Sequence, residues 1–246
     1  MQAVILRQNN TNTKSTIMEQ DNKYCYKYPH PAVTADCVVF GYDVKEGLSL
    51  LLIERGLEPY KGRWAFPGGF MRIDESTDQC AERELGEETG LTSCYLEQFG
   101  SFSDVYRDPR ERVVTIAYFA LVKKSEVQGG DDARWFSIDK VPPLAFDHDH
   151  ILSVALRKLK EKIHFEPIGF ELLPEIFTMP QLQDLYESIL GIKFDRRNFA
   201  SKMLKLGILD IAVERPKGAA SRIPVQYRFN KDNYDKMKSK GFRMEF

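Results

Sequence analysis

The sequence of 246 residues predicts an α/β (α+β) sandwich built on a mixed sheet, followed by a small helical domain that ends in a hairpin. Three observations predict it. Between residues 30 and 163, β-branched and Leu-rich runs alternate with two amphipathic helical stretches. A Pro- and Gly-broken segment at 164–174 then interrupts the pattern. After it the order becomes helix, short turn, helix, hairpin. The length suits two domains, and 43% hydrophobic and 29% charged residues are ordinary for a soluble globular protein.

The elements follow in order. Residues 1–27 are polar and expected to form a disordered tail, in which Met18 is an alternative start and "AVIL" is too short for a signal-peptide core. No apolar run reaches membrane-spanning length, so no membrane partner is expected. Cys25, Cys37, Cys80 and Cys94 lack CxxC spacing and read as free thiols of a reduced, cytoplasmic protein. Residues 32–43 and 48–56 form a hairpin around a Gly/Lys/Glu turn, and "GRWAFPGG" (62–69) is a short extended piece. A helix then starts at a capping box, Ser76 with Gln79, and stops at Gly90. Strands are expected at 93–104, 112–124 and 133–138, and a helix at 147–163. Asp147, His148, Asp149 and His150 are expected to cap and line the start of that helix rather than bind metal. Trp64 and Trp135 are expected in the core. These elements define a first domain over 28–165.

The second domain, 172–246, carries a helix from Pro180 to Gly191, a second helix over 196–207 capped by Asp195, two extended runs in 208–230, and a basic helix after them. That order is a winged helix-turn-helix. Residues 193–243 hold fourteen Lys and Arg against five Asp and Glu, a net +9, which leaves −10 for the rest of a chain whose total is −1. Clustered cations of this kind favour duplex DNA through counterion release. Arg196 and Arg197 lie in the first turn of the second helix, where major-groove readers place base contacts, and Lys202 and Lys205 can reach phosphates. Arg215, Lys217 and Arg222 lie on the expected wing, while Phe199, Met203 and Leu206 form the core face. Double-stranded DNA is therefore an expected partner. Operator symmetry implies a homodimer.

The sharpest chemical signal is in the first domain. Glu84, Glu87 and Glu88 fall within one helical turn, where like charges repel. The repulsion becomes favourable when the carboxylates hold hard divalent cations, which take oxygen ligands and share them with phosphates. Gly68 and Gly69 let the backbone come close to an ion or phosphate, and Gly86 in mid-helix costs about 1 kcal/mol relative to Ala.

The run Gly69, five residues, Glu75, seven residues, Arg83-Glu84-Leu85-Gly86-Glu87-Glu88-Thr89-Gly90-Leu91 resembles the Nudix box at every fixed position. The resemblance implies hydrolysis of a nucleoside diphosphate linked to another moiety, with Mg²⁺ or Mn²⁺. It implies Glu84, Glu87 and Glu88 as metal ligands, with the Gly69 carbonyl assisting, and Arg83 paired with Glu75 to hold the acidic face. Arg107, Arg110 and Arg112 in "YRDPRERVV", together with Arg55, Arg63 and Gly68, are candidates for the phosphates. The stretches 106–118 and 144–152 resemble the ADP-ribose-handling branch fused to a winged helix, the Nudix-related transcriptional regulators. The proline of many stand-alone ADP-ribose pyrophosphatases, some sixteen residues past the box, is missing, since Pro109 lies eighteen after Leu91. Other nucleotide sugars and sugar phosphates therefore stay open as ligands. The expected function is a ligand-responsive transcriptional regulator that binds and hydrolyses an ADP-ribose-like compound. Its rivals are a plain pyrophosphohydrolase whose second domain dimerises or covers the substrate, and a sensor without turnover.

Overall fold

The structure is a computed structural model that describes residues 27–91, 93–127, 130, 132–213 and 224–244. All but Lys27 of the expected tail, the alternative start at Met18, Cys25, and the expected wing residues Arg215, Lys217 and Arg222 lie outside the described residues.

The first half runs β1 (Ala32–Asp43), β2 (Gly47–Glu54), β3 (Trp64–Ala65), β4 (Gly68–Phe70), α1 (Thr77–Thr89), β5 (Tyr95–Phe102), β6 (Val113–Lys123), β7 (Ala133–Ser137) and α2 (His148–Ile163). The sheet has the order β3-β2-β1-β6-β5, with β4 paired to β1 and β7 to β2. β1 is central: it runs antiparallel to β2 and parallel to β6 over eleven residue pairs, Ala32 opposite Val113 to Tyr42 opposite Lys123. A strand covered on both faces needs a near-continuous apolar run, which "AVTADCVVFGY" supplies. Its alternate side chains enter two different cores. Ala35, Cys37 and Val39 meet Cys80, Ala81 and Leu85 of α1 on one face. Val38, Phe40 and Tyr42 meet Ile151, Ala155, Leu159 and Ile163 of α2 on the other.

"GRWAFPGG" is two short strands rather than one extended piece. Pro67 has no N–H to give a ladder, and its carbonyl instead accepts from the Cys37 amide at 2.8 Å.

The second half runs β8 (Phe177–Thr178), α3 (Met179–Leu190), α4 (Arg196–Lys205), β9 (Leu209–Val213), β10 (Gln226–Phe229) and α5 (Lys231–Lys238). Strand β10 lies between β8 and β9, both antiparallel to it. This is the expected winged helix. α3 begins with a capping box of Thr178 and Gln181 and ends at Gly191, whose φ of 73° is the left-handed conformation glycine adopts without strain.

The Pro- and Gly-rich stretch expected at the domain boundary is packed. Residues Ile168–Leu172 form a turn of 3₁₀ helix with Ile168, Gly169, Phe170 and Leu172 buried. A Cβ on Gly169 would come within 3.2 Å of Ile163 and 3.3 Å of Leu185, so glycine permits the close approach of α2 and α3. The α2-side core continues without a break through Phe170 into Leu182, Leu185, Tyr186, Phe199 and Met203. Polar contacts reinforce the junction: the Leu48 amide donates to Ser188 Oγ at 2.9 Å, and Lys238 of α5 pairs with Glu166 at 3.2 Å.

Candidate active site and DNA-binding face

Helix α1 is aimed by its ends. Ser76 Oγ accepts from the Gln79 amide, Gln79 Oε1 accepts from the Ser76 amide, and Gly90 closes the last turn. Arg83 fixes its acidic face. Its guanidinium donates twice to Glu75, at 2.6 and 2.9 Å, and also reaches the Phe70 carbonyl at 3.2 Å. This bidentate pair holds the Glu75 carboxyl down at about 2 and raises Arg83 above its ordinary value.

The three expected metal ligands do not form a ready-made trio. Arg83 Nη1 sits 2.5 Å from Glu84 and 3.3 Å from Glu87, so it partly neutralises both, and Glu87 also meets Arg72 at 3.4 Å on the exposed side. Glu88 does not meet Arg83; it accepts from the Gly68 amide at 3.0 Å. Among the described residues, no group of three His, Cys, Asp or Glu side chains is gathered as a cation cage. The physical reason is that Arg83, on the same helix, takes up Glu84 and Glu87, while the Gly68 amide takes up Glu88.

The donor chemistry nonetheless fits a hard cation. Burial pushes the Glu88 carboxyl up to about 7 against the Gly68 amide, with Glu84, Asp132 and Asp36 adding repulsion. That repulsion among oxygen donors is what a divalent cation relieves. The Gly69 backbone lies so close to the acidic face that a Cβ there would stand 2.3 Å from a Glu84 carboxylate oxygen.

Glu88, Gly68 and Gly69 form one wall of a cavity of about 350 Å³. Asp36, Asp132, Arg55, Arg107, Arg110, Phe70, Phe146 and His148 line the remainder. Of the arginines expected there, Arg55 lines the cavity, and among the described residues it has no carboxylate at ion-pair distance; its Nε donates to the Pro59 carbonyl at 2.8 Å. Burial and the nearby Arg110 lower its pKa. Arg107 lines the cavity too, but as a buried strut. It donates to Asp147 at 2.8 and 3.0 Å and to Asp36 at 3.4 Å, so its charge is already spent on β1 and the start of α2. Arg63 and Arg112 do not line the cavity. Arg63 lies over the Tyr60 ring at 5.9 Å, and Arg112 donates to the Asp104 carbonyl at 2.9 Å.

The start of α2 also departs from expectation. Asp147 occupies the cap position without a side-chain cap bond, because Arg107 holds its carboxylate. His148 is buried and stacks on Phe66 with ring centroids 4.5 Å apart. Its Nδ1 accepts from the Phe66 amide at 3.1 Å, and burial lowers its pKa, so it is a neutral imidazole with Nε2 facing Asp36 at 3.8 Å. Asp36, Asp108, Asp132 and Phe146 were not singled out from the sequence; a carboxylate in an otherwise apolar strand, as Asp36 is in β1, was the available signal.

In the second domain, Asp195 Oδ1 accepts from the Arg197 and Asn198 amides and opens α4. Phe199 and Met203 are buried, whereas Arg196, Arg197, Lys202 and Lys205 are exposed. One helix, anchored by Phe199 and Met203, thus presents four cations to solvent. Glu187 of α3 braces the turn before it, accepting from Gln183 at 2.8 Å, the Phe194 amide at 3.0 Å and Lys193 at 2.5 Å.

Residues 30–159 match the NUDIX domain model. The chain belongs to the Nudix family. Residues 169–229 of this Nudix protein match the NrtR DNA-binding winged helix domain. It is 36% identical over 216 residues to the ADPR responsive transcriptional repressor NtrR of Acinetobacter baylyi, across 85% of this chain and 86% of the relative. It is 36% identical over 148 residues to an ADP-ribose pyrophosphatase of Methanocaldococcus jannaschii, across 59% of this chain and 85% of the relative. The crystal structure of Shewanella oneidensis NrtR complexed with a 27mer DNA superposes with a TM-score of 0.74 at 28% identity, covering 86% of this chain and 97% of that one. The fold of this Nudix protein, including the winged helix, is therefore that of NrtR.

Proposed function

We propose that this protein is a DNA-binding transcriptional regulator whose Nudix domain binds an ADP-ribose-like nucleoside diphosphate derivative and hydrolyses it. The observation that carries this reading is the pairing, in one continuous core, of a half-buried acidic cavity edged by guanidinium groups with an exposed basic helix, α4. The A. baylyi relative, an ADPR responsive repressor, supports the coupling of the two, and the M. jannaschii relative, an ADP-ribose pyrophosphatase, supports turnover. The S. oneidensis complex supports duplex DNA as the partner.

In this reading Glu84 and Glu88, with the Gly69 carbonyl, would hold Mg²⁺ or Mn²⁺, which would supply activation of water and neutralisation of charge on the phosphate oxygens. Arg55, which among the described residues has no carboxylate at ion-pair distance, meets the diphosphate. The Gly68 amide positions Glu88, and Arg83 positions Glu84 through the Glu75 pair. Water adds to one phosphorus of the diphosphate as its bond to the bridging oxygen breaks, the bridging oxygen departs with the other phosphate, and ADP-ribose becomes AMP and ribose 5-phosphate. Ligand in the cavity alters DNA affinity by favouring one of two arrangements of a homodimer, in a cytoplasmic protein. A second reading, binding without turnover, draws on Arg83's hold on Glu84 and Glu87.

The test has two arms. Fluorescence anisotropy with duplexes from upstream of its own gene, at stated salt, is expected to show tight binding that ADP-ribose changes. Equal DNA affinity with and without ADP-ribose and other nucleotide sugars overturns the coupling. Release of AMP from ADP-ribose with Mg²⁺ is expected in the second arm, and its absence alongside ligand binding selects the sensor.

A further inference from the structure

The outward face of α4 is not uniformly basic. Phe199 and Met203 are buried and mark its inner side. Ser201 stands two residues from each, which at about 100° per residue places it on the far side of the helix from both. Arg197 and Lys205 lie four residues before and after Ser201, and Asn198 lies three before it, so all four share one exposed patch. Arg196 and Lys202 are exposed too, but they fall on the two edges of the inner face.

Hydrogen bonding singles out Asn198. Residues 172–246 hold three asparagines, Asn198, Asn230 and Asn233. Asn230 donates to the Asp210 carboxylate at 3.0 Å, and Asn233 donates to the Gly207 carbonyl at 2.6 Å, so both side chains are spent on the fold. The Asn198 carboxamide and the Ser201 hydroxyl have no hydrogen-bond partner among the described residues. Arg196 and Arg197 have no carboxylate at ion-pair distance among them either, whereas Lys193, just before the helix, is paired with Glu187.

The charge at the start of the helix bears on what this patch meets. A bare helix N-terminus draws phosphate. Here the exposed Asp195 carboxylate takes up the Arg197 and Asn198 amides, and its negative charge repels a phosphate. The first turn of α4 therefore suits base edges in the major groove, and the DNA backbone is left to the edges of the helix. In that groove a carboxamide matches the N6 donor and N7 acceptor of adenine, and a guanidinium matches O6 and N7 of guanine.

We propose that Asn198 reads an adenine and Arg197 a guanine in neighbouring base pairs of the operator, with Ser201 against the same bases, while Arg196 and Lys202 grip the phosphates on either side. This rests on the DNA-binding function proposed above and deepens it, because it divides the helix into residues that choose the sequence and residues that only hold it. It also parts Arg196 from Arg197, which their place in the first turn had put together as base readers. Lys205, at the end of the exposed row where the helix leaves the groove, meets a phosphate.

Selection of duplexes from a random library by the full chain, with and without ADP-ribose, tests it, followed by affinities for the selected duplex over a range of salt. The wild type is expected to select a guanine and an adenine in neighbouring base pairs. Asn198→Ala is expected to lose the adenine preference alone, to weaken binding to the selected duplex by about tenfold, and to leave the salt slope and the melting temperature unchanged. Arg196→Ala is expected to weaken binding to every sequence alike and to make the slope shallower by about one unit, with the selected motif intact. An adenine preference that survives in Asn198→Ala overturns the proposal, and so does a base preference lost in Arg196→Ala. Tight binding by the wild type without any selected motif overturns it as well and leaves the DNA-binding function standing. Failure to bind any duplex brings down that function, and this assignment with it.

Discussion

Arg83 and Arg107 have the same chemistry and opposite tasks. Arg83 is a clamp on the acidic helix, and the fixed spacing to Glu75 announces it in the sequence. Arg107 is buried between Asp36, 71 residues before it, and Asp147, 40 residues after it, and no local pattern announces such contacts. Sequence spacing reveals a side chain's partner when both lie on one helix or its flanking loop, and fails when folding brings them together. Arg107→Met is expected to destabilise the protein by about 3–5 kcal/mol, because two carboxylates stay behind without their cation; denaturant unfolding measures it. Glu88→Gln, which keeps the shape and the Gly68 contact, is expected to lower AMP release from ADP-ribose by about 100-fold with the melting temperature nearly unchanged.

Helices were more legible than strands and loops for the same reason. The ends of α1 and α3 are set by residues three or four apart, Ser76 with Gln79 and Thr178 with Gln181, and by the glycines that follow. The parallel pairing of β1 with β6 and the burial of the 168–172 turn depend on the assembled sheet. Among these elements, the α3–α4 turn carries a pH dependence. Lys193, the Phe194 amide and Gln183 hold the Glu187 carboxyl down at about 2 from its ordinary 4.5. A group depressed on folding stabilises above its unfolded value and loses that contribution as pH falls toward its folded value. Melting temperatures should therefore fall from about pH 4.5 toward pH 2 more steeply in the wild type than in Glu187→Gln. Parallel curves would show that Glu187 does not govern the turn that aims α4.

At the scale of the molecule, α2 has one end on each function. Its first residues, His148 and the Asp147 before it, border the cavity or hold Arg107 on its wall, and its last turn is tied through Lys162, Glu166 and Lys238 to α5 of the winged-helix domain rather than to α4 itself. The charge asymmetry read from the sequence survives as geometry, with the acidic cavity and the basic face of α4 on separate halves. Log–log plots of DNA affinity against salt are expected to fall steeply, and Lys202→Ala or Lys205→Ala to make each slope shallower by about one unit, as loss of a phosphate contact does. A slope unchanged in both removes α4 from the DNA interface.

One of the two apolar cores of the first half continues into the second, from Phe40 through Phe170 to Met203. Such a chain is expected to melt in one step. Calorimetry should record a single endotherm, and a small molecule lodged under β4 should protect the amide hydrogens of α4 from exchange although it never touches them. The regulator's sensing end and its reading end then stand or fall as one thermodynamic body.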